Sequence, residues 1–249
     1  MPEVPPDSTE TAEYTRRLQV GESDYQPNEE VSRALQNKVF VGIIGPIAVG
    51  KSTVITEVEK LDPTFREISG LTTRDKRPDD IPHTFRKYLP HTPASLKELL
   101  AKQTRGELVQ HTVHRQTGFV YASELEDYPA EYCITPILSS NVANTAQLPF
   151  RDTRFVSLIC RSSEWFRRFN DREKDMTRAD ISKRLVEACV SLEWSLENKD
   201  TVWVRNKDDK QRSAAAHIIA YAKTGEPPEN NTASRKVAEN LLGEIRLQK

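Results

Sequence analysis

Gly45-Pro46-Ile47-Ala48-Val49-Gly50-Lys51-Ser52-Thr53 is the stretch whose reading decides the fold. It is a complete G-x-x-x-x-G-K-S phosphate-binding loop. The apolar run Val39-Phe40-Val41-Gly42-Ile43-Ile44 precedes it, and the helix-compatible residues 53–60 follow. Strand, glycine loop and helix in that order form the context that gives the pattern meaning. Glycines let backbone N–H groups curl around phosphate oxygens with no Cβ in the way. Lys51 supplies a positive charge toward the β- and γ-phosphates, and the Ser52 hydroxyl can ligate Mg²⁺. Gly45, Ala48, Val49, Gly50, Lys51, Ser52 and Thr53 are therefore the expected triphosphate-binding residues. The competing reading is a glycine turn before a helix with no ligand, and the intact Lys51-Ser52 pair argues against it.

Working outward, 249 residues suffice for one sizeable α/β domain with appendages. The net charge of −1 gives no argument for nucleic-acid binding. No run of about 18 apolar residues is present, so no membrane span is expected. The first residues lack a basic start and an apolar core, so no secretory signal is expected either. Cys133, Cys160 and Cys189 lie far apart in apolar stretches. They are expected to be reduced and buried, in a cytoplasmic protein. No Cys or His cluster has metal-ligand spacing.

Residues 1–27 are polar, contain prolines and lack periodicity, so residues 1–37 read as a mostly disordered tail with one short helix capped by Asn28. A core domain is expected over 38–223. Strands are predicted over 66–69, 132–138, 153–160 and 201–205, and a β-ribbon over 107–121. Helices are predicted over 93–102, 163–170, 178–198 and 210–223. Residues 71–92 are charged and proline-containing, as a functional loop would be. Residues 224–249 read as a linker and an amphipathic helix carrying Val237, Leu241, Leu242 and Ile245 on one side. That helix packs either on its own domain or on a partner, including a second copy of the chain.

The second informative stretch is Thr72-Thr73-Arg74-Asp75-Lys76-Arg77-Pro78. Two arginines three apart in a loop can clamp an anion, because guanidinium groups are planar, always charged and bidentate. Here the chain resembles guanylate kinases, which carry a Thr-Thr-Arg-x-x-Arg-Pro motif. The resemblance continues in order over about residues 38–222. His83-Thr84-Phe85 is similar to an aromatic-x-Phe element of the acceptor-binding sheet. Gly106-Glu107-Leu108-Val109-Gln110-His111 is similar to the family's Gly-Glu-Phe-x-Glu-Trp. Gly118-Phe119-Val120-Tyr121-Ala122-Ser123 resembles its Gly-x-x-Tyr-Gly-Thr/Ser turn. Arg168-Phe169-Asn170-Asp171-Arg172 resembles the lid's Arg-x-x-x-Arg, followed by Arg184. Val204-Arg205-Asn206-Lys207-Asp208 is similar to the late Val-Asn-Asp element beside the adenine.

The resemblance implies a P-loop parallel sheet flanked by helices, an inserted small mixed β acceptor-binding subdomain at about 70–125, and a helical lid at about 165–184. It implies γ-phosphoryl transfer from ATP with Mg²⁺ to a nucleoside monophosphate, GMP or dGMP first, within purine nucleotide metabolism. Lys51, Arg168, Arg172 and Arg184 would neutralise the transferring group. Asn206 would lie beside the adenine, and Arg74, Arg77, His83, Gln110, Tyr121 and Ser123 would form the acceptor site. Without the resemblance, Arg168 and Arg172 read as a solvated face paired with Asp171 and Glu173. Arg184 likewise pairs with Glu187, and Tyr121 is a core aromatic.

The pattern departs from the family where guanine would be read. Guanine presents N–H donors that want carboxylate acceptors. Gln110 stands at the first of the two acid positions, and Pro136-Ile137-Leu138-Ser139-Ser140-Asn141 offers no acid at the second. A serine of the acceptor site would align near Gly70. Three readings follow: a nucleoside monophosphate kinase of altered specificity, a kinase for another phosphorylated metabolite such as ribose 1,5-bisphosphate, and a non-catalytic guanylate kinase-like binding module.

Overall fold

The computed structural model describes residues 9–76, 85–115, 117–174 and 176–248. The elements in chain order are α1 (Thr9–Val20), α2 (Glu29–Leu35), β1 (Val39–Ile44), α3 (Lys51–Leu61), β2 (Phe65–Glu67), β3 (Leu71–Thr72), β4 (Lys87–Tyr88) and α4 (Pro93–Thr104). They continue with β5 (Leu108–Val113), β6 (Val120–Glu124), β7 (Tyr132–Pro136), α5 (Val142–Ala146), β8 (Asp152–Ile159), α6 (Ser162–Glu173), α7 (Arg178–Glu197), β9 (Val202–Arg205), α8 (Gln211–Thr224) and α9 (Asn231–Arg246). This is an α/β architecture with two compact units.

One unit comprises Val39–Glu67, Ala130–Ala143 and Asp152–Lys249. Its five-stranded sheet has the order β2-β7-β1-β8-β9, and every pairing is parallel. Helices flank the sheet, α3 packing on α8 and α7 on α9. All six residues of β1 are buried, which explains why its sequence is a continuous apolar run rather than an alternating one. The phosphate loop leaves the end of β1 and enters α3 directly.

The amphipathic helix expected within 224–249 packs on its own unit. Gly225 ends α8 in the left-handed conformation, and the chain returns as α9. Ala238, Leu241, Leu242 and Ile245 are buried in the unit's own core. Arg235 donates to Leu196 O, Arg246 pairs with Glu193, and Asn231 Oδ1 accepts the Trp203 N–H. The apolar stripe is therefore buried in the same unit. The expected lid also begins inside this core, because Trp165 and Phe169 of α6 are buried in it, their rings stacked at 4.7 Å.

The other unit comprises Met1–Lys38, Ile68–Pro129 and Asn144–Arg151. Its mixed four-stranded sheet has the order β4-β3-β6-β5. Leu71, Leu108, Val113, Val120 and Ala122 pack with Leu96 and Leu99 of α4 and with Leu18 of α1. The reading of residues 1–27 as disordered is therefore corrected for residues 9–27. Thr11, Tyr14 and Leu18 fall three and four apart on one face of α1, but only Leu18 is aliphatic. A polar composition hides so narrow a stripe. The following segment is pinned as well. The Glu22 carboxylate accepts the Val113 N–H at 2.6 Å, and the Tyr25 hydroxyl donates to Leu108 O at 2.5 Å. Asn28 caps α2 through the Val31 N–H, as expected.

The three cysteines are buried, and none of them forms a disulfide. Among the described residues, no helix is long and apolar enough to cross a membrane.

Candidate functional site

The phosphate loop is shaped by backbone conformation and held by side chains from distant segments. Gly45, Ala48 and Gly50 have φ of 145°, 62° and 94°. Ala48 carries a Cβ in the left-handed region, a strain of roughly 1–2 kcal/mol. Gly50 is required twice over. Its φ disfavours any side chain, and a Cβ there would lie 2.5 Å from Asn206 Nδ2.

The loop's carbonyls are claimed by side chains, two by the loop's own lysine and two by distant residues. Lys51 Nζ donates to Gly45 O at 2.7 Å and to Pro46 O at 3.0 Å. Trp165 Nε1 donates to Ile47 O at 2.8 Å. Val49 O accepts from Asn206 Nδ2 at 2.8 Å and from Arg168 Nη1 at 3.1 Å. Ser52 and Thr53 are exposed in the first turn of α3. Burial of the Lys51 ammonium, followed by the nearby positive charge of Arg172, lowers its pKa to about 8. A buried ammonium with a depressed pKa is a group poised for an anionic ligand.

The expected lid arginines separate. Arg168 is held by Asp208, with Nη2–Oδ1 at 2.7 Å and Nε–Oδ1 at 3.2 Å, in place of Asp171 or Glu173. Arg172 is exposed, lies 3.5 Å from the Glu173 carboxylate, and is close enough to Lys51 to act on its charge. Arg184 pairs with Glu187 one turn on, at 2.9 Å. The structure thus brings Lys51, Arg168, Arg172 and Asn206 together and leaves Arg184 in its helix-surface pair.

The small sheet carries Thr72, Tyr88, Gln110, Thr112, Tyr121 and Ser123 on one face. Directly opposed residues share a face, and alternate residues along a strand share it too. Thr72 stands opposite Tyr121 and beside Tyr88, Tyr121 stands opposite Thr112, and Gln110 stands opposite Ser123. The other face, with Leu71, Ala122 and Val113, is the one covered by α1 and α4. Arg74 is buried, with its guanidinium 5.0 Å from the Phe85 ring and 5.7 Å from the Tyr88 ring. Phe85 and Tyr121 are themselves 5.8 Å apart. Aromatic faces on a guanidinium fix its plane, and Arg74 Nη1 also donates to Asp75 O at 2.8 Å.

Two of the expected acceptor residues are engaged within the unit. Ser123 Oγ meets Tyr128 Oη at 2.8 Å, and Gln110 Oε1 accepts from Thr145 Oγ1 at 3.3 Å. Gly70 has no room for a serine, because a Cβ there would lie 2.4 Å from Ala122 O. Arg77 and His83 lie outside the described residues.

Trp165, Asp208, Tyr88 and Thr145 were not singled out in the sequence. Asp208 falls within the Val204–Asp208 run already quoted. Trp165 precedes Arg168 by one helical turn, and a buried indole N–H requires a partner. Nothing in the sequence marked Thr145 or Tyr88.

Magnesium fits the loop as an ion that arrives with a triphosphate. Mg²⁺ takes phosphate and water oxygens plus one or two side-chain oxygens, and the exposed Ser52 hydroxyl is a hard oxygen of that kind. Among the described residues, no group of three His, Cys, Asp or Glu could hold a metal alone.

Fold and loop together define a P-loop α/β protein. No protein-family model matches the sequence, and no curated protein matches it. In structure the chain is similar to the guanylate kinase of Anaplasma phagocytophilum, at a TM-score of 0.48 and 11% identity, over 81% of this chain and 93% of that one. It is also similar to polyphosphate kinase 2 of Arthrobacter aurescens TC1, at a TM-score of 0.37 and 14% identity, over 96% of this chain and 91% of that one. Identities this low carry no substrate across.

Proposed function

We propose that the protein transfers the γ-phosphoryl group of ATP to a phosphate oxygen of a small phosphorylated acceptor, with GMP or dGMP the first candidate. The observation that carries the reading is the loop at Gly45–Thr53, with its carbonyls engaged by side chains and Lys51 inside it. The bond between the γ-phosphorus and the bridging oxygen of ATP breaks, a new bond forms to the acceptor phosphate oxygen, and ADP leaves. The acceptor phosphate is already ionised, so no general base is needed. The work is alignment and charge neutralisation. Lys51 and Arg172 offset charge on the phosphates, and Ser52 would hold a magnesium ion. Magnesium, when bound, neutralises negative charge on the β- and γ-phosphates. Arg74 and Tyr121 orient the acceptor phosphate, and Asn206 serves the ATP side.

A second reading, a kinase for another phosphorylated metabolite such as ribose 1,5-bisphosphate, is favoured by Gln110. Its amide oxygen is engaged by Thr145 and it carries no charge, so it is a poor substitute for the carboxylate that guanine donors want.

The test is a panel. The full chain is incubated with Mg-ATP and GMP, dGMP, AMP, CMP, UMP or ribose 1,5-bisphosphate, and ADP is measured. Acceptor-dependent ADP with GMP or dGMP supports the first reading, and with the bisphosphate alone the second. ADP formation that no acceptor raises would leave the non-catalytic binding module standing.

A further inference from the structure

Two carbonyls of the phosphate loop, Ile47 O and Val49 O, are held by side chains from α6 and by Asn206. Every peptide bond described is trans. In a trans peptide unit the C=O and the following N–H point in opposite directions. Drawing Ile47 O toward Trp165 therefore turns the Ala48 N–H the other way. Drawing Val49 O toward Asn206 and Arg168 does the same for the Gly50 N–H. Backbone N–H groups turned away from such holders are what a phosphate chain binds in a loop of this kind.

The holders are themselves held. Asp208 fixes Arg168 by two contacts, while Arg168 Nη2 also reaches Asn206 O at 3.5 Å. The Asp208 N–H donates to Glu164 Oε1 at 3.1 Å, and Glu164 Oε2 accepts the Arg161 N–H at 2.9 Å. The network thus closes on the first turn of α6, the helix that also supplies Trp165 and Arg168. The Arg168 side chain is only 15% exposed. Asn206 is fully buried, and its Oδ1 has no hydrogen-bond partner among the described residues. An unpartnered buried acceptor is a cost, so the orientation is kept for what Nδ2 does. A flipped amide would set oxygen against the Val49 carbonyl oxygen, which chemistry forbids.

We propose that Trp165, Arg168 and Asn206, with Asp208 anchoring Arg168, are positioning residues that aim the Ala48 and Gly50 amides at the nucleotide phosphates. Arg168 then acts through the loop and not on the transferring phosphoryl group. The proposal rests on the nucleotide-binding reading above and adds to it a division of labour: Arg172 meets the ligand and Arg168 builds its seat.

The test uses the full chain with Asp208→Asn, Arg168→Lys and Asn206→Asp. Calorimetry measures Mg-ADP and Mg-ATP binding, kinetics separates kcat from KM, and hydrogen exchange follows the amides of residues 47–51. Asp208 is partly exposed, so Asp208→Asn tests the clamp with little risk to folding. Asn206→Asp is expected to weaken ADP and ATP alike by about tenfold, and the other two variants both by roughly three- to tenfold. In Asp208→Asn the kcat at saturating ATP is expected to stay within about threefold, with faster loop-amide exchange at an unchanged melting temperature. A merely structural role would lower the melting temperature without singling out those amides. Unchanged ADP affinity in Arg168→Lys together with a kcat loss of about a hundredfold overturns the proposal, because that is the signature of direct contact with the transferring group. Unchanged loop exchange in Asp208→Asn overturns it whether or not nucleotide binds. Absence of nucleotide binding by the unaltered chain would instead strike the proposed function.

Discussion

The phosphate loop and the open face of the small sheet are built on opposite plans. The loop's shape is set by backbone, and its holders come from far along the chain: Trp165, Arg168 and Asn206 lie 118, 119 and 157 residues from the carbonyls they bind. The sheet face is made of side chains on neighbouring strands, Tyr88, Tyr121, Thr112 and Gln110, all partly exposed. A backbone site depends on the whole unit and tolerates few changes. A side-chain site can be respecified one residue at a time without disturbing its sheet. That difference explains how the chain keeps a complete Gly50-Lys51-Ser52 while Gln110 and Gly70 depart from the pattern it resembles.

The contrast can be broken experimentally. The largest effect is expected at Trp165, which is fully buried. Trp165→Ala should cost about 3–5 kcal/mol in chemical denaturation. Trp165→Phe keeps most of the packing and loses the bond to Ile47 O, so it should cost about 1–2 kcal/mol. Equal losses would mean that packing alone matters there.

Next in size is Arg74→Ala, which should raise the acceptor KM by roughly ten- to a hundredfold, the worth of hydrogen bonds to a charged group. The KM for ATP should stay within about twofold. Parallel loss of both would contradict the separation of the two regions.

A smaller effect is expected from pH. Burial and Arg172 hold Lys51 at about 8 against an ordinary 10.5. The lysine loses its charge as pH rises through about 8, so ATP affinity should decline above that value. Arg172→Ala removes one cause and should shift the decline to higher pH. The fold responds in the opposite sense. Between about 8 and 10.5 the unfolded chain binds more protons, so stability without nucleotide should rise with pH across that window. An ATP affinity flat from about pH 7 to 9.5 would contradict the role of Lys51.

The smallest effect belongs to Arg184→Ala. Its partner is Glu187 in the same helix, and such pairs are worth about 0.5 kcal/mol. Turnover should change less than in Arg172→Ala, and the reverse order would restore Arg184 to the site.

Much of the fold was legible because its signals are local. Val39–Ile44 is a continuous apolar run, and residues 93–102 carry Leu96 and Leu99 at helical spacing. The loop itself was legible because glycine, lysine and serine sit at fixed offsets. Helix α1 was not, since its buried stripe contains one leucine among charged neighbours. Helix α9 was visible as an amphipathic helix, but periodicity reports that a face is apolar and not what covers it. Arg168 illustrates the same limit at the site. The spacing to Arg172 suggested a shared role, while the structure gives Arg168 a loop carbonyl and Asp208, and gives Arg172 proximity to Lys51.

The claim that the loop serves a transfer reaction is tested most directly by following the γ-phosphoryl group itself. ATP labelled at the γ-phosphate is incubated with the full chain, magnesium and the acceptor panel, and the products are separated. The account predicts label in a further-phosphorylated acceptor, lost by at least about a hundredfold in Lys51→Ala while that variant remains folded. Label released only as inorganic phosphate, or retained in ATP with every acceptor, would contradict it.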